Sequence, residues 1–285
     1  MTPHIYWLAS YPKSGNTWMR ILLTNYLRNV DEPADINSLD GGPIASARQV
    51  FDDHVGVEAS DLTQDEIERY RPGVYAMISA RATEPLFLKV HDAYTITPYG
   101  DPLFPVSATA GVLYLLRNPL DVAVSFAHHG GNPIEKVVKL MGKEDARLVD
   151  SPHRLNSQLR QRLLSWSRHV TSWVDAPTLR VHVVRYEDML SDAVDTFTRV
   201  IRFCGLDDSP ARIARAVEFS RFDRLQAQET ESDFQERLPQ GTGRFFRRGR
   251  AGAWQDELSP ELVQKLIADH RQVMQRFGYE MEQML

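Results

Sequence analysis

The chain has 285 residues, of which 42% are apolar, and a net charge of −5; this composition supports a substantial core and excludes a disordered chain. No stretch approaches the roughly 20 apolar residues that a membrane span needs, and the acidic balance argues against general nucleic-acid binding. The single cysteine, Cys204, excludes an internal disulfide framework and a cysteine-rich metal site, and it is predicted to be a core thiol. The first residues do not resemble a signal peptide, so a cytoplasmic protein is expected.

Strands and helices are predicted to alternate along the chain, because short apolar runs are separated by segments with apolar residues at helical spacing. The predicted strands are 5–10, 86–90, 112–116 and 179–184. The predicted helices are about 16–29, 120–129, 155–174, 189–204, 210–219 and 260–277, with Gly205 as a C-cap. Without a repeat or a linker, this alternation predicts an α/β fold, in which one domain over 1–285 has a central parallel sheet flanked by helices.

Two stretches have no clear strand or helix pattern and are expected to be irregular. Residues 31–75 are rich in acidic side chains, and residues 128–153 open with two histidines and two glycines. Long irregular segments in a compact α/β domain are usually functional or mobile, so both are candidates for lids or acceptor walls. For the first stretch, a solvated acidic face is an equally good interpretation.

The first motif, Tyr11-Pro-Lys-Ser-Gly-Asn-Thr-Trp18, joins the first predicted strand to the first predicted helix. Backbone N–H groups of such a loop and of the helix N-terminus point at an anion, and Lys13 adds a full charge. This is a P-loop-like element, but Lys13 follows Pro12 and precedes Gly15, so the magnesium ligation of nucleoside triphosphatases is not predicted. The alternative is a plain turn whose Ser and Thr only cap the helix.

The second motif runs from Arg117 to Ser125, where a predicted buried strand ends and Pro119 opens a helix. Ligands of open α/β sheets bind at the carboxyl ends of strands, and an arginine fork with a hydroxyl suits a second phosphate. The alternative is a structural ion pair between Arg117 and Asp121.

The third motif gathers four arginines among glycines and aromatic residues before the last predicted helix. The arginines are Arg244, Arg247, Arg248 and Arg250. Glycines let backbone N–H groups approach an anion closely, so the loop 244–258 is a candidate for holding a polyanion. An exposed basic loop is the other interpretation.

In this order, the three motifs resemble the sulfotransferase superfamily, which uses 3′-phosphoadenosine 5′-phosphosulfate (PAPS) as sulfuryl donor. The resemblance covers essentially the whole chain: the first motif is similar to the family's 5′-phosphosulfate loop, the second to its 3′-phosphate element, and the third to its C-terminal signature, with Arg at the usual Lys position. It implies that the donor is bound by Lys13, Ser14, Gly15, Asn16, Thr17, Trp18, Arg117, Ser125, Tyr186, Ser220, Phe222, Phe246, Arg247, Arg248 and Gly249.

The resemblance also implies the catalytic residues. His91, just past the second predicted strand, stands where the family has its general base; by itself, a lone histidine there is more often structural. Lys13 would meet the charge on the leaving oxygen, and Lys89 would reach the sulfuryl oxygens. Adenosine 3′,5′-bisphosphate (PAP) would be the product, and no metal would be required. Val90 and Asp92 differ from the family's usual residues beside this histidine.

The expected acceptor is a small molecule with a hydroxyl group, such as a phenol, an alcohol or a natural product, in a bacterial-type enzyme. No nucleic-acid partner is expected, and the oligomeric state stays open between a monomer and a weak homodimer. Two other functions fit the residues: a small-molecule kinase, which would need a carboxylate-held magnesium ion, and a nucleotide-binding protein without catalysis.

Overall fold

The computed structural model describes residues 2–151, 154–241 and 243–279. Residues 152–153 of the segment 128–153 lie outside the described residues, as do residues 1, 242 and 280–285 of the predicted domain. The strands are β1 (Ile5–Ser10), β2 (Leu86–Val90), β3 (Thr109–Leu116), β4 (Arg147–Leu148), β5 (Gln161–Arg162) and β6 (Val181–Arg185). The α-helices are α1 (Asn16–Arg28), α2 (Arg48–Val55), α3 (Gln64–Arg81), α4 (Pro119–Gly130), α5 (Ile134–Met141), α6 (Trp166–Val174), α7 (Tyr186–Ser191), α8 (Ala193–Phe203), α9 (Pro210–Phe219), α10 (Phe222–Ser232) and α11 (Pro260–Arg276).

A central parallel sheet has the strand order β2-β1-β3-β6, while β4 pairs with β5 in a separate antiparallel ladder. β1 runs parallel to β2, with Ile5 opposite Leu86 and Ala9 opposite Val90. All six residues of β1 are buried, as expected for a strand that is covered on both faces. The predicted α/β class is confirmed. None of the helices in the described ranges is long and apolar enough to cross a bilayer.

The predicted helix over 155–174 is wrong in its first half, because only α6 is helical there. Residues before α6 satisfy their backbone groups elsewhere: the N–H of Leu159 donates to the carbonyl of Ser46 at 2.7 Å, and β5 pairs with β4. Ser165 then starts α6, since its hydroxyl accepts from the N–H of Arg168. Of the leucines that carry the spacing in the first half, Leu159 and Leu163 are buried in this extended segment, whereas Leu155 is exposed.

The predicted helix over 189–204 is interrupted at Asp192 and forms α7 and α8. Asp192 leaves the helical region and its carboxylate accepts from the N–H of Asp195 at 2.9 Å, which caps α8. The C-cap of α8 is Cys204, one residue before the predicted Gly205. Gly205 follows in the left-handed region at φ 68°, and the N–H of Leu206 donates back to the carbonyl of Ile201.

The expectation that 31–75 and 128–153 are irregular is wrong for both segments. α2 and most of α3 lie in the first, and α5 lies in the described part of the second. α3 begins with a capping box, in which the N–H of Glu66 donates to the Thr63 hydroxyl and the Glu66 carboxylate accepts from the N–H of Thr63. The Thr-x-x-Glu spacing is readable in the sequence and could have located this helix.

The described residues form two compact units. The first comprises the described parts of 1–11, 41–114 and 143–183, and the second the described parts of 12–40, 115–142 and 184–285. In the first unit, the indole of Trp7 packs edge-on against Phe104 and Tyr75, with ring centroids 4.8 and 5.1 Å apart. In the second unit, aromatic residues pack against a buried cluster that also supports the predicted nucleotide site. The cluster is Ile21, Ile36, Leu225, Phe234 and Phe246, with Trp18, Phe222 and Phe245 against it.

Candidate active site

The loop between β1 and α1 has a strained backbone. Lys13 lies in the left-handed region at φ 70°, which costs a non-glycine residue roughly 1–3 kcal/mol and is typical of functional loops. Gly15 has φ 100°, and a Cβ there would lie 2.9 Å from the ring of Tyr186. A side chain at position 15 is therefore excluded by both the backbone conformation and the close approach of the ring.

The hydroxyls of this loop do not serve as a helix cap. Gly15 is the N-cap of α1 and no side chain caps the helix, while the buried Ser14 hydroxyl has no hydrogen-bond partner among the described residues. Buried polar atoms are nearly always satisfied, so an orphaned hydroxyl beside an uncapped helix N-terminus fits an anion that completes the site. The plain-turn alternative does not account for these two features.

Two other residues of the loop region contact partners that the sequence did not suggest. The hydroxyl of Thr17 donates to the Glu236 carboxylate at 3.3 Å, and the same carboxylate forms an ion pair with the buried Arg20. The ammonium of Lys13 lies 3.8 Å from the centroid of the Phe245 ring. An acidic side chain thus holds part of the predicted phosphate loop in this structure, and Lys13 stacks over an aromatic face.

Arg117 follows β3 and reaches the same loop. Its Nη1 donates to the carbonyl of Lys13 at 3.2 Å, and its guanidinium stacks over the ring of Tyr186, with Cζ 4.2 Å from the ring centroid. The Nε of Arg117 is buried and has no hydrogen-bond partner among the described residues. A charged donor without an acceptor fits a bound anion in the same way as the orphaned hydroxyl of the loop.

Asp121, the alternative partner of that arginine, has another role. Its carboxylate accepts the backbone N–H of Gly252 at 2.8 Å and that of Trp254 at 3.1 Å. These two charge-assisted bonds tie the third motif to the first turn of α4. α4 itself starts as predicted, with Pro119 at its first position and Asn118 as N-cap.

Three arginines of the third motif, Arg247, Arg248 and Arg250, are held by two carboxylates. Arg247 contacts Glu257 at 2.6 Å, and Arg248 contacts Glu257 at 3.1 Å and also Asp256. Burial would raise the pKa of Glu257, but the hydrogen bonds from His128 and Arg247 outweigh it and lower the pKa. Glu257 therefore stays ionised and orients the Arg247 fork.

The aromatic residues of the predicted adenine site lie close together. The indole N–H of Trp18 donates to the carbonyl of Ser220 at 2.9 Å, and its ring meets that of Tyr186 edge-on at 5.7 Å. Gly249 has φ 56°, and a Cβ there would lie 2.5 Å from the ring of Phe222. The backbone of the third motif thus passes directly over the Phe222 ring.

One cleft in the second unit collects residues from all three motifs. It has about 320 Å³ of empty space, some of it open to solvent. Its lining residues are Lys13, Ser125, His128, His129, Arg237, Gly241, Gly243, Arg244, Phe245 and Arg247. Four of these side chains are cationic and none of these residues carries a carboxylate, so the lining attracts anions. Lys13, Ser125 and Arg247 each come from a different motif.

Arg237 and Glu236 lie near the predicted donor site but were not predicted to belong to it: Arg237 lines the cleft, and Glu236 contacts the predicted phosphate loop. They fall in a segment without a recognisable spacing, so no sequence signal identified them. Glu257, which contacts Arg247, lies within the predicted loop 244–258, although no role was predicted for it. The sequence predicts His128 and His129 only as the start of an irregular segment, although both lie at the end of α4 and line the cleft.

His91 and Lys89 belong to the first unit. Lys89 is in β2, and His91 follows the strand with its Nδ1 2.9 Å from the carbonyl oxygen of Ser10 and 3.2 Å from the Ser10 hydroxyl. A carbonyl oxygen only accepts, so Nδ1 carries the proton in the neutral ring and Nε2 carries the lone pair. This tautomer is the one that can take a proton at Nε2.

An apolar cavity also lies in the first unit, with about 840 Å³ of empty space that includes open solvent. Its lining residues are Gly41, Pro43, Ala45, Val50, His54, Tyr75, Ile78, Arg81, Ala82, Leu86 and Leu88. Several come from the first predicted acceptor wall. Lys89 and His91 do not line it, as expected from the alternation of side chains along β2.

Comparison with known proteins places this geometry in a family. The model of the sulfotransferase domain matches residues 3–278. The flavonol 3-sulfotransferase of Flaveria bidentis is 22% identical over 276 residues, covering 93% of this chain and 80% of its own length. Sulfotransferase 4A1 of Mus musculus is 25% identical over 277 residues, covering 95% of this chain and 81% of its own length.

Solved structures share the fold. Retinol dehydratase in complex with androsterone and the inactive cofactor PAP has a TM-score of 0.63 at 20% identity, covering 96% of this chain and 81% of that one. Mouse sulfotransferase SULT7A1 complexed with PAP has a TM-score of 0.57 at 19% identity, covering 96% and 86%. Because the family model spans nearly the whole sequence, the chain belongs to the sulfotransferase family.

Proposed function

We propose that this sulfotransferase moves a sulfuryl group from PAPS to a hydroxyl of a small-molecule acceptor. The observation that carries the proposal is the cationic cleft, which is lined by Lys13, Ser125 and Arg247 from three separate motifs. A donor with phosphates at both ends of its ribose needs anion-binding groups from more than one segment. ATP, with a single phosphate chain, gives no reason for a second cationic motif.

In this proposal, the loop of Lys13 and Ser14 and the N-terminus of α1 hold the 5′-phosphosulfate. The orphaned Ser14 hydroxyl and the orphaned Nε of Arg117 supply unused hydrogen-bond donors. Arg117, Ser125, Arg247, Arg248 and the Gly249 backbone hold the 3′-phosphate. The proposed adenine and loop contacts are made by Asn16, Thr17, Trp18, Tyr186, Ser220, Phe222 and Phe246.

The proposed chemistry is an in-line displacement at sulfur. The acceptor oxygen forms a bond to sulfur while the bond from sulfur to the bridging oxygen breaks, and PAP leaves with that electron pair. Nε2 of His91 takes the acceptor's proton, a task that suits an imidazole near neutral pH. Lys13 stabilises the charge that develops on the leaving oxygen, and Lys89 stabilises the sulfuryl oxygens.

A small-molecule acceptor is supported by the relatives. The flavonol and luciferin sulfotransferases are named for small molecules, and the related solved structures hold androsterone or retinol. A transfer assay with several phenols and alcohols identifies the class of hydroxyl compound that accepts the sulfuryl group.

The decisive experiment incubates the protein with ³⁵S-labelled PAPS and a panel of phenols and alcohols in the presence of EDTA. Transfer of label to an acceptor is expected, and it would exclude a binding-only protein. A parallel arm with γ-³²P-ATP and magnesium tests the kinase alternative. Phosphoryl transfer without sulfuryl transfer would overturn the proposal.

Two variants test the assigned roles. Lys13→Ala and His91→Ala should each lower kcat by at least about 100-fold, the range for a lost electrostatic or base group. His182→Ala, also in the first unit but in the lining of neither the cationic cleft nor the apolar cavity, is the matched control and should keep wild-type turnover. Near-normal transfer by His91→Ala would refute its assignment as the base.

A further inference from the structure

The backbone that starts at His91 and continues to Ala93 is held largely by buried groups. His91 is followed by Asp92, which is completely buried, and the carboxylate is paired with the equally buried Arg71 of α3. We propose that Asp92, anchored by Arg71, is a positioning residue that fixes the orientation of His91 for proton transfer. The inference rests on the proposed function of His91 as the general base.

The Asp92 carboxylate has three hydrogen bonds. Its Oδ2 accepts from Arg71 Nη2 at 2.8 Å, and its Oδ1 accepts from Arg71 Nη1 at 3.1 Å and from the backbone N–H of Arg162 at 3.2 Å. This is a two-pronged arginine–carboxylate pair, which has a fixed geometry as well as strength. Arg71 is itself fixed, because it also donates to the hydroxyl of Tyr75 and to the carbonyl of Arg160.

The backbone of residues 91–93 is fixed by three further bonds. The carbonyl of His91 accepts from Nε2 of His169 at 3.1 Å, and the carbonyl of Asp92 accepts from the indole N–H of Trp173 at 3.0 Å. The N–H of Ala93 donates to the carbonyl of Arg162 at 2.7 Å. The carbonyls of His91 and Asp92 thus accept from two buried side chains, and the N–H of Ala93 is bonded to the segment before α6.

A buried ion pair is weak evidence for stability, because desolvation of the two charges offsets their attraction. Apolar residues of similar volume would fill the same space without that penalty. The pair instead fixes the direction of the backbone beside His91. The ring of His91 must keep Nδ1 on the carbonyl of Ser10 so that Nε2 faces the acceptor. A displacement of about 1 Å at a reacting group lowers turnover by roughly 100-fold.

The first measurement compares the full-length Asp92→Asn variant with a matched control, Glu68→Gln. Glu68 is a buried carboxylate of the same unit, paired with the side chains of Arg160 and Arg162, and it has no hydrogen bond to residues 91–93. Asp92→Asn should lower kcat by about 10- to 100-fold and leave the Kd for PAP within about twofold. Glu68→Gln should keep wild-type kcat, whatever its melting temperature.

The second measurement does not need an acceptor. In ¹⁵N-histidine NMR spectra at pH 8, the His91 signals, assigned by their loss in His91→Gln, should show the Nδ1–H tautomer in the wild-type protein and in Glu68→Gln. In Asp92→Asn, the signals should shift toward a mixture of tautomers. If neither the wild type nor any variant transfers the sulfuryl group, the proposed function fails. The histidine NMR spectra then test by themselves whether Asp92 positions His91.

A double variant keeps the test valid if Asp92→Asn does not fold. Arg71→Met with Asp92→Leu removes both charges, so the fold is retained without an unpaired buried ion. A folded double variant with kcat lowered about tenfold or more supports the inference. A kcat within twofold of wild type in either variant, or unchanged His91 signals, would overturn it.

Discussion

The close passage of Gly249 over the Phe222 ring offers a sharp test of the proposed adenine site. In Gly249→Ala, the added Cβ would lie 2.5 Å from two ring carbons of Phe222, where ordinary carbon contacts are about 3.5–4.0 Å apart. The ring must therefore retreat by about 1 Å. It packs against the buried cluster that contains Phe246, so it has little space in which to move.

The expected loss follows from stacking. A base stacked on an aromatic side chain contributes about 1–3 kcal/mol, so displacement of the ring should weaken PAP binding by roughly 5- to 150-fold. Strain adds a separate effect, because Gly249 has φ 56° and alanine there costs about 1 kcal/mol of folding stability. Gly205→Ala is the matched control, since Gly205 has φ 68° and nothing within 4 Å of the added Cβ.

Isothermal titration with PAP and thermal unfolding separate the two effects. Both variants should lose a few degrees of melting temperature, while only Gly249→Ala should lose affinity. Inorganic pyrophosphate has no base to stack, so its affinity should be the same in both variants. Equal PAP affinities in the two variants would refute the contact between Phe222 and the base.

Three further outcomes are expected. Arg247→Ala should weaken PAP binding by about 10- to 100-fold, because Arg247 lines the cleft. Arg250→Ala should change PAP binding less than about threefold, because Arg250 is exposed and lies outside the cleft. Equal losses in the two variants would contradict the assignment of Arg247 to the PAP site. Glu236→Gln should strengthen PAP binding, because the wild-type carboxylate contacts the Thr17 hydroxyl of the predicted phosphate loop and repels phosphate. Weaker PAP binding in isothermal titration would contradict this role of Glu236. Burial lowers the pKa of His169 to about 4, so below pH 6.5 the unfolded chain binds a proton that the folded chain does not. This group should therefore lower wild-type stability by up to about 3 kcal/mol between pH 6.5 and 4, and denaturant titrations should show a shallower fall in His169→Gln than in the wild type.

Local spacing was enough to predict several elements of this protein. The apolar run 5–10, the Lys-Ser-Gly-x-Thr loop and the start of α1 at Asn16 follow from strand length, glycine conformation and helical periodicity. Pro119 and Gly205 marked a helix start and a helix end for stereochemical reasons that act within a few residues. Such features need no knowledge of distant partners.

Elements that depend on distant partners were predicted wrongly or not at all. The first half of 155–174 has helical spacing, but its backbone bonds to Ser46 and β4 hold it extended. Asp92 looked only like a departure from the family pattern, because its partner Arg71 is 21 residues earlier in a segment expected to be irregular. The pairing exists only once α3 forms and packs beside the end of β2.

The sequence by itself determined the class of the fold, and it predicted three anion-binding motifs and the resemblance that they carry, since each motif is one short contiguous segment. The tertiary structure decided that Lys13, Ser125 and Arg247 share one cleft, that Glu236 contacts Thr17 and Glu257 contacts Arg247, and that the residue after His91 belongs to a buried ion pair. Except for Glu257 and Arg247, which are ten residues apart, these are contacts between segments far apart in the chain. Their formation depends on packing and burial, which local periodicity does not encode.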